Sequence, residues 1–151
     1  MTKVFETLNT LLQGEQMAVE IYGKFIHEIN DANARNELTK IRQAHTKHMG
    51  WFAERIVAMG GTPEYGTGMP GIMSKAMQAV KMMTGRADCE ILEEVYSGEH
   101  MGITSMENAI REPLDQDSLT LARQVIDEDK SHLAVIDGLV KACAANSPTM
   151  V

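Results

Sequence analysis

The sequence predicts an all-α protein: a four-helix bundle with one long crossover that carries a short amphipathic helix of its own. Three observations support this. Strand-like alternation is nearly absent, while apolar residues recur at 3-4 spacing in four long windows. Turn and cap residues punctuate the chain between those windows. Of the three connections, the outer two are short and the middle one is long. With 151 residues, 44% hydrophobic and 23% charged, the composition is ordinary. A single domain over residues 1–151 is long enough to bury a core without a covalent framework.

The first helix is expected from about Val4 to Ile29, with the seam Phe5, Leu8, Leu12, Glu15, Val19, Tyr22, Ile26, Ile29. Asn30-Asp31-Ala32-Asn33 ends it, because Asn and Asp favour turns and caps. The second runs from about Ala34 to Met59, with the seam Leu38, Ile41, His45, His48, Phe52, Ile56, Met59, and Gly60-Gly61-Thr62-Pro63 stops it. A crossover of about Gly60 to Arg86 follows. It holds a Gly-rich loop, Tyr65 to Gly71, and then Ile72, Met73, Ala76, Met77, Val80 and Met83 at helical spacing. The third long helix is expected from about Ala87 to Ile110, with the seam Leu92, Val95, Glu99, Gly102, Met106, Ala109, closed by Pro113. The fourth runs from about Ser118 to Ala145, with the seam Ala122, Val125, Asp129, His132, Ile136, Leu139, Cys143. Short connections make antiparallel hairpins of the first and last helix pairs. The long one leaves the second and third long helices parallel.

Charge and composition exclude several function classes. Fourteen basic against 21 acidic residues give a net charge of −7, the wrong sign for a phosphate-binding footprint, so no nucleic-acid partner is expected. Only 5% of residues are aromatic, too few for a base-stacking platform. No window of about 18 apolar residues could span a membrane, and the first residues lack the apolar core of a signal peptide. The Met-rich crossover helix is read as core filling rather than membrane contact. Cys89 and Cys143 are too few for a disulfide framework. They are expected to be reduced thiols, which together with the missing signal peptide points to the cytoplasm.

Each seam is apolar except near its midpoint. There stand Glu15 in the first helix, His45 and His48 in the second, Glu99 in the third, and Asp129 and His132 in the fourth. At about 1.5 Å rise per residue, all six fall within a turn or so of their helix centres, so bundle packing brings them to one interior layer. Burying unpaired carboxylates costs several kcal/mol each, and a divalent metal would supply the compensating charge. Imidazole and carboxylate together suit iron, zinc, manganese or cobalt. The i, i+3 pairs His45/His48 and Asp129/His132 each share a helix face. A layer of salt-bridged polar groups without metal is the competing reading, pairing His45 with Glu99 and His132 with Glu15. His27, Glu20, Glu28 and Glu94 lie off the seams and read as solvated, as does His100. Tyr22 reads as core, two turns from Glu15.

These residues resemble the ferritin-like superfamily. Leu11-Leu-Gln-Gly-Glu15-Gln-Met-Ala-Val-Glu-Ile-Tyr22 is similar to the first helix of bacterioferritins, which places Glu15 on a metal-binding glutamate. Phe52-Ala-Glu-Arg-Ile-Val-Ala-Met-Gly-Gly-Thr-Pro63 is similar to the end of their second helix, in a register that puts His48 on the metal-binding histidine. Ser97-Gly-Glu99 resembles the rubrerythrin third-helix motif, and Asp127-Glu-Asp129-Lys-Ser-His132 the fourth-helix Glu-x-x-His. The crossover resembles that of demethoxyubiquinone hydroxylases. The resemblance covers about residues 4–145 and implies two irons per chain, with zinc or manganese as alternatives. Haem is not implied, because the bacterioferritin haem methionine falls at Thr46.

The chain departs from the family pattern at two positions. His45 stands where the family has a bridging glutamate, and Asp129 replaces a glutamate. Three carboxylates then face two divalent cations, one charge fewer than usual. The chemistry implied is oxidation of Fe(II), or reduction of oxygen or peroxide. A zinc-binding or metal-free interaction module and a di-iron hydroxylase of an organic or lipid substrate are the alternatives. The short stretch after Cys143 leaves no fifth helix of the kind that helps close ferritin cages, so a homodimer is expected.

Overall fold

In chain order the helices are α1 (Thr2–Glu28), α2 (Ala32–Ala58), α3 (Pro70–Met83), α4 (Asp88–Ala109) and α5 (Gln116–Asn146). The computed structural model describes residues 1–66 and 70–146, and of 70–73 the backbone alone. No strand occurs among the described residues. The long helices begin and end within two residues of the expected limits. The crossover helix begins at Pro70, so the last two residues of the segment expected as loop are helical. Proline suits a first helical turn, where its missing N–H leaves no bond unmade. Thr67, Gly68 and Met69 of that loop, and the side chains of Ile72 and Met73, lie outside the described residues.

Local chemistry sets the helix ends. Asp31 caps α2, its side chain accepting from the Ala34 N–H at 2.8 Å. Asp88, in the first turn of α4, accepts from the backbone N–H groups of Asn30 (3.0 Å) and Asp31 (2.8 Å), which ties α4 to the α1–α2 turn. At the other end Gly60 takes φ +86°, the left-handed conformation that ends helices at little cost for glycine. Asp115 precedes α5. Its Oδ2 accepts from the Ser118 N–H (3.2 Å) and from Arg55 of α2 (2.6 Å), while Arg55 Nε donates to Ser118 Oγ at 3.0 Å.

The core consists of two apolar clusters. One gathers Tyr22 and Phe25 of α1 with Ile29 just after it, Leu38 and Ile41 of α2, Ile91, Leu92 and Val95 of α4, and Ile136 of α5, with Val80 of α3. The other gathers Leu8, Leu11 and Leu12 of α1, Phe52 and Ile56 of α2, Ile103 and Met106 of α4, and Val125 and Ile126 of α5. The first half of α2 and the first half of α4 share a cluster, so these helices run parallel. The chain therefore travels the length of the bundle between them, as the long crossover predicts. The seam of α4 differs in one place: Gly102 is exposed, and Ile103 is buried instead. A 3.6-residue helix drifts from a strict 3-4 count, and after Glu99 the buried stripe advances by four.

The structure corrects the reading of Cys89 and Cys143 as reduced thiols. They form a disulfide, with Cα atoms 5.5 Å apart. Antiparallel packing brings the first turn of α4 against the last turns of α5, within bridging range, and a separation of 54 residues hides that neighbourhood from a linear reading. With both cysteines joined, they no longer point to a reducing compartment. No helix among the described residues is long and apolar enough to cross a membrane. Closing a loop of this length removes unfolded-chain entropy, so reduction should lower stability by about 2–4 kcal/mol. Urea unfolding with and without reductant measures this, and unchanged midpoints would show that the bridge stabilises nothing.

The Asp115 cap gives a pH-dependent prediction. Partial burial works against its charge, but the hydrogen bonds from Ser118 and Arg55 outweigh it and hold the carboxyl below the ordinary aspartate value. A depressed carboxyl contributes stability above its unfolded pKa and loses it as the pH falls through the lower folded value. Asp115→Ala should cost about 1–2 kcal/mol at neutral pH. The difference from wild type should close only in acid, below the ordinary aspartate range. A difference independent of pH would show that the carboxylate charge is not what caps α5.

Candidate metal centre

The polar midpoints of the four long helices separate the two apolar clusters. Glu15 comes from α1, His45 and His48 from α2, Glu99 from α4, and Asp129 and His132 from α5. The first five are buried and His132 is half-buried. The structure brings all six positions singled out in the sequence into this one layer.

His45 sits between the glutamates. Its Nδ1 lies 2.6 Å from Glu15 Oε2 and its Nε2 3.2 Å from Glu99 Oε2. Burial opposes a charge on this ring, but Glu15 and Glu99 outweigh burial and raise its pKa well above the ordinary histidine value. Glu15 is the mirror case: burial raises its carboxyl, and His45 and His48 pull it below the usual value. His48 is also raised, burial being outweighed chiefly by Glu15 and Glu128. Asp129 goes the other way. Burial, with Glu15 and Glu99 nearby, raises its carboxyl despite His132 and His45.

Four buried polar atoms of the layer have no hydrogen-bond partner: His48 Nδ1, His132 Nδ1, Asp129 Oδ1 and Glu99 Oε1. They face one another and Glu15. His48 Nδ1 lies 3.5 Å from both Glu15 Oε2 and Asp129 Oδ1. His132 Nδ1 lies 3.4 Å from Asp129 Oδ1 and 4.0 Å from Glu99 Oε1. Buried polar atoms left unpaired are rare and call for a physical cause. A cation about 2.1 Å from each donor sets neighbouring donors roughly 3.0–3.4 Å apart, close to the shorter of these separations. Two groups of donors could each hold an ion: Glu15, His45, His48 and Asp129, and His45, Glu99, Asp129 and His132. Asp129 and His45 belong to both. The donor set, imidazole nitrogen and carboxylate oxygen, suits a first-row transition metal.

The structure adds three residues that the seams alone did not bring to the layer. Glu128 of α5 accepts a hydrogen bond from His48 Nε2, which aims His48 Nδ1 inward. It is a further carboxylate beside the layer, outside both groups of donors. Tyr22, expected as core, is buried and donates its hydroxyl to Glu99 Oε2 at 2.5 Å. Burial, and then Glu99, push its pKa well above the ordinary tyrosine value, so it keeps its proton. Trp51 lies against His48, ring centroids 5.3 Å apart, and the Lys47 ammonium lies 5.2 Å from the Trp51 ring centroid. His100 is exposed and takes no part.

One sequence signal could have ordered the site in advance. A constant offset of 84 residues relates Gly14-Glu15 to Gly98-Glu99, His45 to Asp129, and His48 to His132. The same offset relates the helix caps Asp31 and Asp115. The α1–α2 and α4–α5 hairpins are thus two copies of one plan, each giving a glutamate and an i, i+3 pair.

A sequence-family model described as Domain of unknown function (DUF2383) matches residues 3–112. No curated protein matches the chain. Among solved structures, the chain is similar to the dodecameric thioferritin described as the bacterioferritin-related protein from Bacteroides fragilis. The TM-score is 0.70 at 16% identity, over 95% of this chain and 88% of that one. The fold is therefore ferritin-like, as the order of helices and the long crossover predict.

Proposed function

The chain belongs to the family described as Domain of unknown function (DUF2383), and from that premise we propose that its central layer is a dinuclear metal site, iron in its working form, that serves Fe(II) oxidation or the reduction of oxygen or peroxide. The observation that carries this reading is the set of four unpaired buried donors facing one another. A polar layer without metal is expected to pair these atoms by hydrogen bonds, as it pairs His45 with Glu99. In this reading Glu15, His45, His48, Glu99, Asp129 and His132 hold the ions, and Asp129 faces both. The ferritin-like fold and the bacterioferritin-related neighbour support iron over zinc or manganese.

When bound, the metal pair supplies redox electrons to the oxidant. The chain's own residues set the conditions. Glu15, Glu99, Asp129 and Glu128 balance cationic charge. His48 and His132 present ring nitrogens to the layer, and the Glu128 bond orients the first of them. Tyr22 donates its hydroxyl to Glu99 Oε2 at 2.5 Å and so fixes the orientation of that carboxylate. The apolar clusters on both sides keep bulk water from the layer. The neighbour is a dodecamer, and we propose that this chain too works as a homo-oligomer, with a dimer as its smallest form.

Elemental analysis before and after anaerobic Fe(II) loading tests the reading. The expected result is two irons per chain, lost in Glu99→Ala, with an absorbance change on admitting air or peroxide. One zinc, or no metal after loading, would overturn it.

A further inference from the structure

The two halves of the site hold their histidines differently. His48 is fully buried, and its outer nitrogen, Nε2, donates to Glu128. With a proton held on Nε2, Nδ1 is the nitrogen turned to Glu15 and Asp129 at 3.5 Å, where a cation can take the place of a proton. The 84-residue offset pairs His48 with His132 and Glu128 with position 44. Residue 44 is alanine, whose methyl group can accept nothing. His132 keeps 16% of its side chain exposed, and no carboxylate anchors its outer nitrogen among the described residues. The groups shared by both halves do not cancel this difference. Asp129 faces the two histidines at 3.5 and 3.4 Å, and His45 sets one nitrogen toward each glutamate.

We propose, resting on the metal reading above, that the two cation positions are unequal and fill in order. The position facing His48 fills first and holds tightly, while the position facing His132 fills second and exchanges readily. Glu128 is the positioning residue that makes the difference. Loss of such an outer hydrogen bond to a ligating histidine typically weakens metal binding about 10–100-fold, and that range is the expected separation of the two dissociation constants. The weaker position also has the partly exposed histidine, which gives an exchanging divalent ion its side of approach.

Trp51 makes the order measurable. It is the one tryptophan of the chain and lies against His48, so a paramagnetic ion at that position quenches it. Titration of the metal-free protein with Co(II) is followed by visible absorbance for total binding and by Trp51 fluorescence for the His48 position. In the wild type, quenching should be complete at the first equivalent while absorbance grows to the second. Glu128→Ala should weaken the first step about 10–100-fold and move quenching toward the second equivalent. Glu128→Gln, which keeps an acceptor for Nε2, should preserve the order. Ala44→Glu should tighten the second step. Quenching and absorbance rising together to two equivalents would overturn the inference and leave the metal reading standing. So would Glu128→Ala leaving the quenching order of a folded protein unchanged. A single equivalent in total would remove the second position, and no cobalt absorbance at all would sink the metal reading itself.

Discussion

Removing metal from the loaded protein with a chelator should lower its thermal unfolding midpoint by about 8–16 °C. An ion that binds only the folded state at about a thousand times its dissociation constant adds about 4 kcal/mol, and a chain of this length shifts by about 2–4 °C per kcal/mol. The direction follows from the layer itself. Without an ion, four buried ligand atoms lack a hydrogen bond, and the carboxylates of Glu15, Glu99 and Asp129 share one small space. With an ion, those atoms are satisfied and the carboxylates' repulsion is offset. Differential scanning calorimetry of loaded and stripped protein at fixed ionic strength measures the shift. Equal midpoints would mean that the layer is already satisfied without metal.

Asp129→Leu should separate stability from binding. Asp129 faces both histidines of the layer, and its replacement should weaken loading of both positions by more than about 100-fold, beyond the loss of an outer hydrogen bond. The metal-free variant should nonetheless be more stable than metal-free wild type. Burial and the neighbouring glutamates raise the Asp129 carboxyl above its ordinary value, so ionising it in the folded state costs more than in water. Its Oδ1 has no hydrogen-bond partner. The raised carboxyl means that burial and the two glutamates outweigh the attraction of the three histidines 3.4–3.8 Å away, whose loss alone would destabilise the fold. Urea unfolding of both metal-free proteins, beside their metal content after loading, tests the pair of expectations. A variant that is less stable without metal would show that Asp129 is a needed counter-charge for His45 and His48.

Much of the site was legible because the helices are long and regular. At a steady rise per residue, a residue at the middle of one helix meets the middle of the next, so six ionisable positions could be placed in one layer from their spacing alone. Where the count drifted, the reading drifted too: after Glu99 the buried stripe advances to Ile103 and leaves Gly102 in solvent. Glu128 escaped because it stands one residue before Asp129, off the seam, and reaches His48 only through the way α2 and α5 lie together. Tyr22 was visible as a seam residue, but its bond to Glu99 crosses 77 residues. The 84-residue repeat was legible in the residues themselves and needed only a comparison of the two halves.

The sequence by itself determined the helical class, the limits of the long helices, the crossover topology and the interior position of the six ionisable residues. These follow from periodicity and from cap chemistry, which act over neighbouring residues. Only the tertiary structure decided which donors stand unpaired and how far apart they lie, that Cys89 and Cys143 join, and that His48 is anchored while His132 is not. Those facts depend on the azimuth and height of each helix against the others. That arrangement is set by the packing of the two apolar clusters as a whole, and no short stretch of the chain encodes it.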